Sequence, residues 1–225
     1  NNFSVSAGTL TKTEDNPSNV FACWNAIQSR SSDFTFANGN STFSLGGISR
    51  GGISTLGDSV GKYYYEAKCS SGTFFQLGAV KSSYAWNNDD VWSGKTGAVV
   101  YKENGNIHKD GSSVSSAFSS ISSGDIVMVA IDLDNNYMYF GKNGTWGNSG
   151  DPTSGATGTG GISISADEYL FAGSGASNTI QGNFGNGYFG TTAVATEGTN
   201  ASGNGIFEYD VPTGYTALST KGLNL

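Results

Sequence analysis

The sequence predicts an all-β fold, an antiparallel β-sandwich of two sheets, and three observations support it. Glycine accounts for 34 of 225 residues, and each interior glycine costs a helix about 1 kcal/mol relative to alanine. Aromatic residues make up 12% of the chain, enough for a sizeable core, while only 13% is charged. About a dozen short apolar runs are separated by turn residues, a spacing typical of sandwiches.

The first strands are predicted near the start of the chain. Residues 20–27 form an apolar run, and residues 34–36 and 41–45 flank Asn38-Gly39. Asn-Gly is a strong hairpin signal because both residues tolerate a positive φ. These segments therefore predict a strand followed by a hairpin.

Residues 62–69 alternate with the two-residue period of a strand that has one exposed face. One face carries Tyr63, Tyr65, Ala67 and Cys69, and the other carries Lys62, Tyr64, Glu66 and Lys68. Residues 74–80 follow after the short connection 70–72, which predicts that the two strands are antiparallel neighbours.

The later strands follow the same logic. Residues 126–131 are apolar on both faces, as in a strand covered on both sides. The further predicted strands are 98–101, 125–133 paired with 137–140, 168–172, 181–184 and 206–209. Residues 149–161 and 185–205 predict long loops. With no repeat of fixed period, residues 1–225 are expected to form one domain.

Charge and composition exclude several functions. The net charge of −7 disfavours nucleic acid, which needs clustered Lys and Arg, and removes the attraction to anionic membranes. No apolar stretch is long enough for a spanning helix. Two cysteines without CxxC spacing and one histidine cannot form a closed zinc site, and no cofactor is predicted. Cys23 and Cys69 can be two buried thiols or a disulfide.

Five motifs together resemble the SPRY domain family. They are KYYYE at 62–66, QLGAV at 76–80, GDIVMVAIDLD at 124–134, YFGKNG at 139–144 and QGNFG at 181–185. The resemblance extends over residues 17–220 and implies a bent β-sandwich of the lectin-like jelly-roll type. It also implies a non-catalytic recognition module whose end loops hold the ligand. Relative to the family pattern, insertions are expected near 149–161 and 187–205.

The closing run, residues 210–223, resembles the ends of SPRY-like modules in bacteriophage structural proteins. It implies a virion-surface, capsid-decorating or tail-fibre-like protein, located on the virion or outside the cell. The expected partner is a protein or glycan on a host or viral surface, with other capsid or fibre subunits as a further option.

The segment 82–93 interleaves rings with amide and carboxylate groups between two strands. Such rings can stack on a sugar or peptide while the polar groups orient it. The candidate ligand-binding residues are Tyr84, Trp86, Asn87, Asp89, Asp90 and Trp92. The alternative is that Trp86 and Trp92 pack beneath the loop as a small core.

Catalysis is not expected. Asp132 and Asp134 are spaced like a carboxylate pair, but they lie at an Asp-Asn-Asn turn, where Asp side chains bind backbone amides. His108, the only histidine, lies in a predicted turn without a Gly-x-Ser-x-Gly motif. The alternative function is a secreted carbohydrate-binding or carbohydrate-active protein, with chemistry at Asp132 or at Asp89 and Asp90.

Overall fold

The computed structural model describes residues 18–27, 33–84 and 92–224, and within them the fold is almost entirely β. The strands are β1 (Phe34–Ala37), β2 (Thr42–Leu45), β3 (Arg50–Asp58), β4 (Lys62–Ser71), β5 (Phe74–Lys81), β6 (Ala98–Lys102), β7 (Ile107–Lys109), β8 (Ser112–Ser115), β9 (Ile126–Asp132), β10 (Tyr137–Lys142), β11 (Thr145–Trp146), β12 (Ile162–Ser163), β13 (Tyr169–Ala176), β14 (Thr179–Asn183), β15 (Tyr188–Phe189), β16 (Thr192–Ala193) and β17 (Thr216–Ala217). Short 3₁₀ turns span Ser82–Tyr84, Trp92–Gly94, Pro152–Thr157 and Gly222–Asn224. No helix among the described residues has the length and apolar character needed to cross a bilayer.

Two large sheets face each other and enclose the main core, as the sequence predicts. The nine-stranded sheet has the order β1-β2-β14-β4-β9-β10-β11, with β12 beside β10 and β17 parallel to β4. The six-stranded sheet has the order β3-β13-β5-β6-β7-β8. Rings from both sheets meet between them, for example Tyr65 of β4 and Phe171 of β13, whose centroids are 4.2 Å apart.

The two predicted hairpins are confirmed. Asn38 and Gly39 both have positive φ, at 55° and 63°, between the paired strands β1 and β2. Strands β9 and β10 pair in register from Asp132 opposite Tyr137 to Val127 opposite Lys142. β9 is buried along its whole length, in agreement with its apolar faces.

The prediction that β4 and β5 are neighbours is wrong. β4 pairs with β9 and β14, whereas β5 pairs with β6 and β13 in the other sheet. Both sides of each strand are therefore occupied, and the connection carries the chain across the sandwich. Gly72 makes this crossing with φ +87°, and a Cβ there would lie 2.6 Å from the Ser177 carbonyl oxygen.

The second face of β4 is also not exposed, contrary to prediction. Tyr64 and Glu66 have 0% exposure, because the C-terminal part of the chain packs over the outer face of the nine-stranded sheet. This outer core contains Phe21, Tyr64, Met128, Ala130, Tyr139, Phe207, Val211, Tyr215 and Ala217.

Two predicted strands do not form regular ladders. In residues 20–27, Phe21 and Trp24 make single bridges, to Ser219 and Ser54, and the Trp24 ring is buried in the core. In residues 206–209, Ile206 bridges Asn186, while the backbone N–H groups of Glu208 and Tyr209 donate to the side chain of Glu66. Apolar runs in this fold thus also fill the space between elements without forming regular strands.

Candidate ligand-binding surface

The predicted binding segment connects β5 to β6 and begins and ends in a 3₁₀ turn. Its described parts are residues 82–84 and 92–97, and they lie against the outer face of the six-stranded sheet. Trp86, Asn87, Asp89 and Asp90 lie outside the described residues, so their place in the site remains a prediction.

Trp92 does not offer its ring to a ligand, which corrects its assignment as a stacking residue. The ring has 0% exposure and packs with Ile53, Val80, Val100 and neighbouring side chains on the sheet. Its Nε1 donates to two backbone carbonyl oxygens of the sheet at 3.2 Å each. Gly51 makes room for the ring, since a Cβ there would lie 2.5 Å from Cε2. Trp92 therefore anchors the segment, as the alternative interpretation held.

A polar latch fixes the same end of the segment to the sheet. The buried Gln76 of β5 accepts a hydrogen bond from the backbone N–H of Ser93 at 2.8 Å and donates to its hydroxyl at 2.9 Å. Ser174 of β13 donates to the Gln76 oxygen at 3.1 Å and accepts from the Trp92 backbone N–H at 3.2 Å. Buried polar groups that satisfy one another in this way hold a backbone in one position.

His108 of β7 contributes to this attachment. Its Nδ1 lies 3.1 Å from the Ser93 carbonyl oxygen, and its side chain is partly buried. The prediction of a turn at His108 is therefore wrong, since the histidine lies on a short strand that supports the segment, with its Nδ1 beside a backbone carbonyl.

Tyr84 is the described candidate that a ligand can reach, with 44% of its surface exposed. Its ring packs over Gly97, where a Cβ would lie 2.5 Å from Cδ2 and where φ is +79°. The N–H of Gly97 donates to Asp110 Oδ1 at 2.7 Å, which fixes this turn. The described part of this segment therefore presents one well-supported ring, that of Tyr84, at the rim of the sheet.

Both signs of charge flank Tyr84. Lys81 Nζ lies 3.3 Å from Asp167 Oδ2. Partial burial is the largest single effect and lowers the pKa of Lys81, but the hydrogen bond to Asp167 and the nearby Tyr169, Asp167 and Asp110 together outweigh it and raise the pKa of the ammonium group. Lys109 donates to the Ser163 carbonyl oxygen at 2.9 Å. An ion pair thus lies at the start of the segment, three residues before the exposed ring.

Asp132 and Asp134 have structural roles. Asp132 is fully buried and forms an ion pair with Lys62 at 2.9 Å, and it accepts two hydrogen bonds from Asn135. Asp134 accepts from the N–H of Gly61 at 2.7 Å. Across the described ranges, no three metal-ligating side chains come together.

The two cysteines are not joined. Cys69 is buried in β4, whereas Cys23 is half-buried beside the Thr55 hydroxyl, with Sγ and Oγ1 3.9 Å apart. Of the two alternatives left by the sequence, the thiol interpretation agrees with the structure.

A profile of the SPRY domain matches residues 62–186, which is more than half of the chain. The chain belongs to the SPRY domain family. The match begins at the first residue of β4 and ends just after β14, so it includes the central strands of both sheets and the segment 82–97, whereas β1, β2, β3 and β17 lie outside it. SPRY domains are generally non-catalytic modules that bind proteins.

Solved SPRY structures have the same fold. The SPRY domain of human HERC1 superimposes with a TM-score of 0.55 at 16% identity, over 71% of this chain and 96% of that one. A second human SPRY domain gives 0.50 at 16% identity, over 67% and 94%. A comparison with curated proteins gave no significant match. The described residues beyond the profile include the C-terminal segment that covers the nine-stranded sheet.

Sequence reasoning did not find the residue that holds this covering segment. Glu66 of β4 accepts hydrogen bonds from the backbone N–H groups of Glu208 and Tyr209 at 2.9 and 2.8 Å, and from the Tyr64 hydroxyl at 2.8 Å. Burial raises the pKa of Glu66 to about 7, although these hydrogen bonds oppose the rise. The signal for this role in the sequence is a carboxylate in the middle of a predicted strand rich in aromatic residues.

Proposed function

We propose that this SPRY domain is a non-catalytic recognition module that binds a protein partner through the segment 82–97. One observation supports this most directly: Trp92 and the Gln76 latch hold one end of the segment on a rigid sheet, and Tyr84 stands exposed at the other end. Family membership supports the same class of function.

The physical basis is preorganisation. A loop whose ends are fixed before binding loses less conformational entropy on binding than a free one. Tyrosine is a frequent energetic centre of interfaces because it combines a large apolar ring with a hydroxyl group and has few rotatable bonds. The segment between the two fixed turns adds two amides and two carboxylates, which can orient the partner.

A peptide selection tests this proposal. The chain is used as bait for a displayed random-peptide library, and enriched peptides are measured by calorimetry. Tyr84→Ala and Trp86→Ala should each weaken binding at least about tenfold, in the range of an interface hot spot. The matched control is Tyr188→Ala in β15, a strand that contacts β14 of the other sheet, and it should bind like wild type. Equal affinity for all variants would refute the assignment of the segment.

The biological setting is a further part of the proposal. The closing run 210–223 and the low charge of the chain support a place on a virion surface or outside the cell, against a host surface, a viral surface or neighbouring subunits. Quantitative mass spectrometry of purified particles tests it: stoichiometric copies are expected, and absence from particles would refute a virion role. A glycan array, run in parallel, distinguishes a sugar ligand from a protein ligand.

A further inference from the structure

Two adjoining grooves lie on either side of Trp146, at the β11 end of the nine-stranded sheet. The first has a volume of about 390 Å³, and its lining includes Met128, Trp146, Glu197, Glu208, Tyr209 and Asp210. The second, of about 300 Å³, is lined on its apolar side by Tyr101, Phe118 and the same Trp146. Because the tryptophan lines both, the two grooves adjoin at its side chain, and together we name them the Trp146 groove.

The walls of the Trp146 groove are held in place. Tyr209 packs over Gly144, where a Cβ would lie 3.0 Å from Cδ1 and where φ is +82°. Trp146 packs edge-on against the buried ring of Tyr64, with centroids 6.3 Å apart. Behind the wall, Glu66 binds the backbone N–H groups of residues 208 and 209. The rings that face the groove therefore belong to fixed backbone.

The first groove is negatively charged. Glu197 and Asp210 are exposed and Glu208 is partly buried, and no lysine or arginine is among the residues that line this groove. Asp210 Oδ1 accepts from the backbone N–H and the hydroxyl of Thr199 at 2.7 and 2.8 Å, and these hydrogen bonds lower the pKa of Asp210. Lys142, at the edge of the second groove, forms an ion pair with Asp125 at 3.2 Å.

We propose that the Trp146 groove is a second protein-binding surface, and that its occupant is an extended segment of a partner that places an arginine or lysine side chain between Trp146, Tyr209 and the three carboxylates. Tryptophan and tyrosine faces attract cations, and carboxylates that no lining cation neutralises complement a guanidinium or ammonium group. The apolar side of the second groove receives a neighbouring apolar residue of the same segment.

This inference does not depend on the proposed function of the segment 82–97. The described ends of that segment pack on the outer face of the six-stranded sheet, whereas the Trp146 groove runs from the outer face of the nine-stranded sheet to its edge beside Tyr101 and Phe118. A partner can occupy either surface alone, and the two can be tested separately in the same protein.

Nuclear magnetic resonance titration of the whole chain provides the test. The probe is a short peptide with blocked termini that contains one leucine and one arginine as its only charged residue, and the control peptide carries citrulline, which has the same shape without the charge. The arginine peptide should shift the indole N–H signal of Trp146 saturably in the millimolar range. Citrulline should weaken binding at least about fivefold, and raising the salt concentration should weaken only the arginine peptide.

Two surface variants separate a local effect from general attraction to an acidic protein. Glu197→Gln should weaken the arginine peptide about two- to threefold, whereas Glu168→Gln, an exposed carboxylate beside the other surface, should leave it unchanged. Tyr84→Ala should also leave it unchanged, even though that variant loses the peptides selected on the segment 82–97. Equal weakening by both glutamine variants, or equal binding of the citrulline peptide, would overturn the proposal. So would shifts of Trp146 on simple dilution, which would identify a second copy as the occupant.

Discussion

Replacement of Glu66 by glutamine should change how the stability of the protein depends on pH. In the folded protein the carboxyl group is fully buried and has a pKa of about 7, compared with an ordinary value of 4.5. The groups that face it are the hydroxyl of Tyr64, the amide of Asn183 and the segment that contains Glu208 and Tyr209. Of these neighbours, the nearby charge of Glu208 adds to the rise in pKa.

The sign of this pH dependence follows from which state, folded or unfolded, holds the proton on Glu66. Between pH 4.5 and 7, the folded state retains a proton on Glu66 that the unfolded state has released, so the free energy of unfolding falls as pH rises through this range. A pKa difference from 4.5 to about 7, at about 1.4 kcal/mol for each pH unit, corresponds to a loss of about 3 kcal/mol. Above the folded pKa this contribution is constant.

Urea unfolding of wild type and Glu66→Gln at a series of pH values from 4 to 8 provides the measurement. The pH-dependent difference between the two proteins isolates Glu66, because every other titrating group is shared. Wild type should lose about 3 kcal/mol relative to the variant over this range, on top of a constant offset from the changed hydrogen bonds. A difference that is flat, or that grows in favour of wild type with rising pH, would refute the reasoning.

Three further predictions concern the anchor of the segment 82–97 and the thiols. Trp92→Ala should lower the free energy of unfolding by about 3–5 kcal/mol, the usual cost of deleting a buried aromatic ring, as measured by chemical denaturation. Gly51→Ala should cost about 1–3 kcal/mol in the same assay, because the new methyl group would overlap the Trp92 ring; an unchanged stability would show that the ring is not seated there. Cys23 and Cys69 should both react with a thiol reagent after unfolding without reductant, and one disulfide found by mass spectrometry would contradict this.

The strands and hairpins could be predicted because their signals are local. The two-residue period of residues 62–69, the double apolar face of β9 and the Asn38-Gly39 turn each depend on residues near one another in the chain. Those patterns predict that a strand forms and where the chain turns. They do not state which strand lies beside it, which is why the assignment of β5 as the neighbour of β4 failed.

For the candidate binding segment, the sequence could predict the position in the fold but not the orientation of its rings. The strands on both sides placed the segment 82–93 outside the sheets, but a tryptophan in a loop can point either way from sequence alone. The inward orientation of the Trp92 ring is set by Gly51, 41 positions earlier, and by two carbonyl groups on adjacent strands. None of these partners has a signal in the sequence around Trp92.

Both outer faces of the sandwich are covered by the same device. A long polar side chain in the middle of a buried strand, Gln76 on one sheet and Glu66 on the other, accepts hydrogen bonds from backbone N–H groups of an irregular segment. For the irregular segment, the side-chain oxygen takes the place of a carbonyl group on a neighbouring strand. The buried N–H groups of the segment therefore stay hydrogen-bonded although the segment is not part of the sheet. The Gln76 side chain does not titrate, whereas Glu66 ties the wall of the Trp146 groove to the proton concentration, so the rigidity of that wall should change near neutral pH.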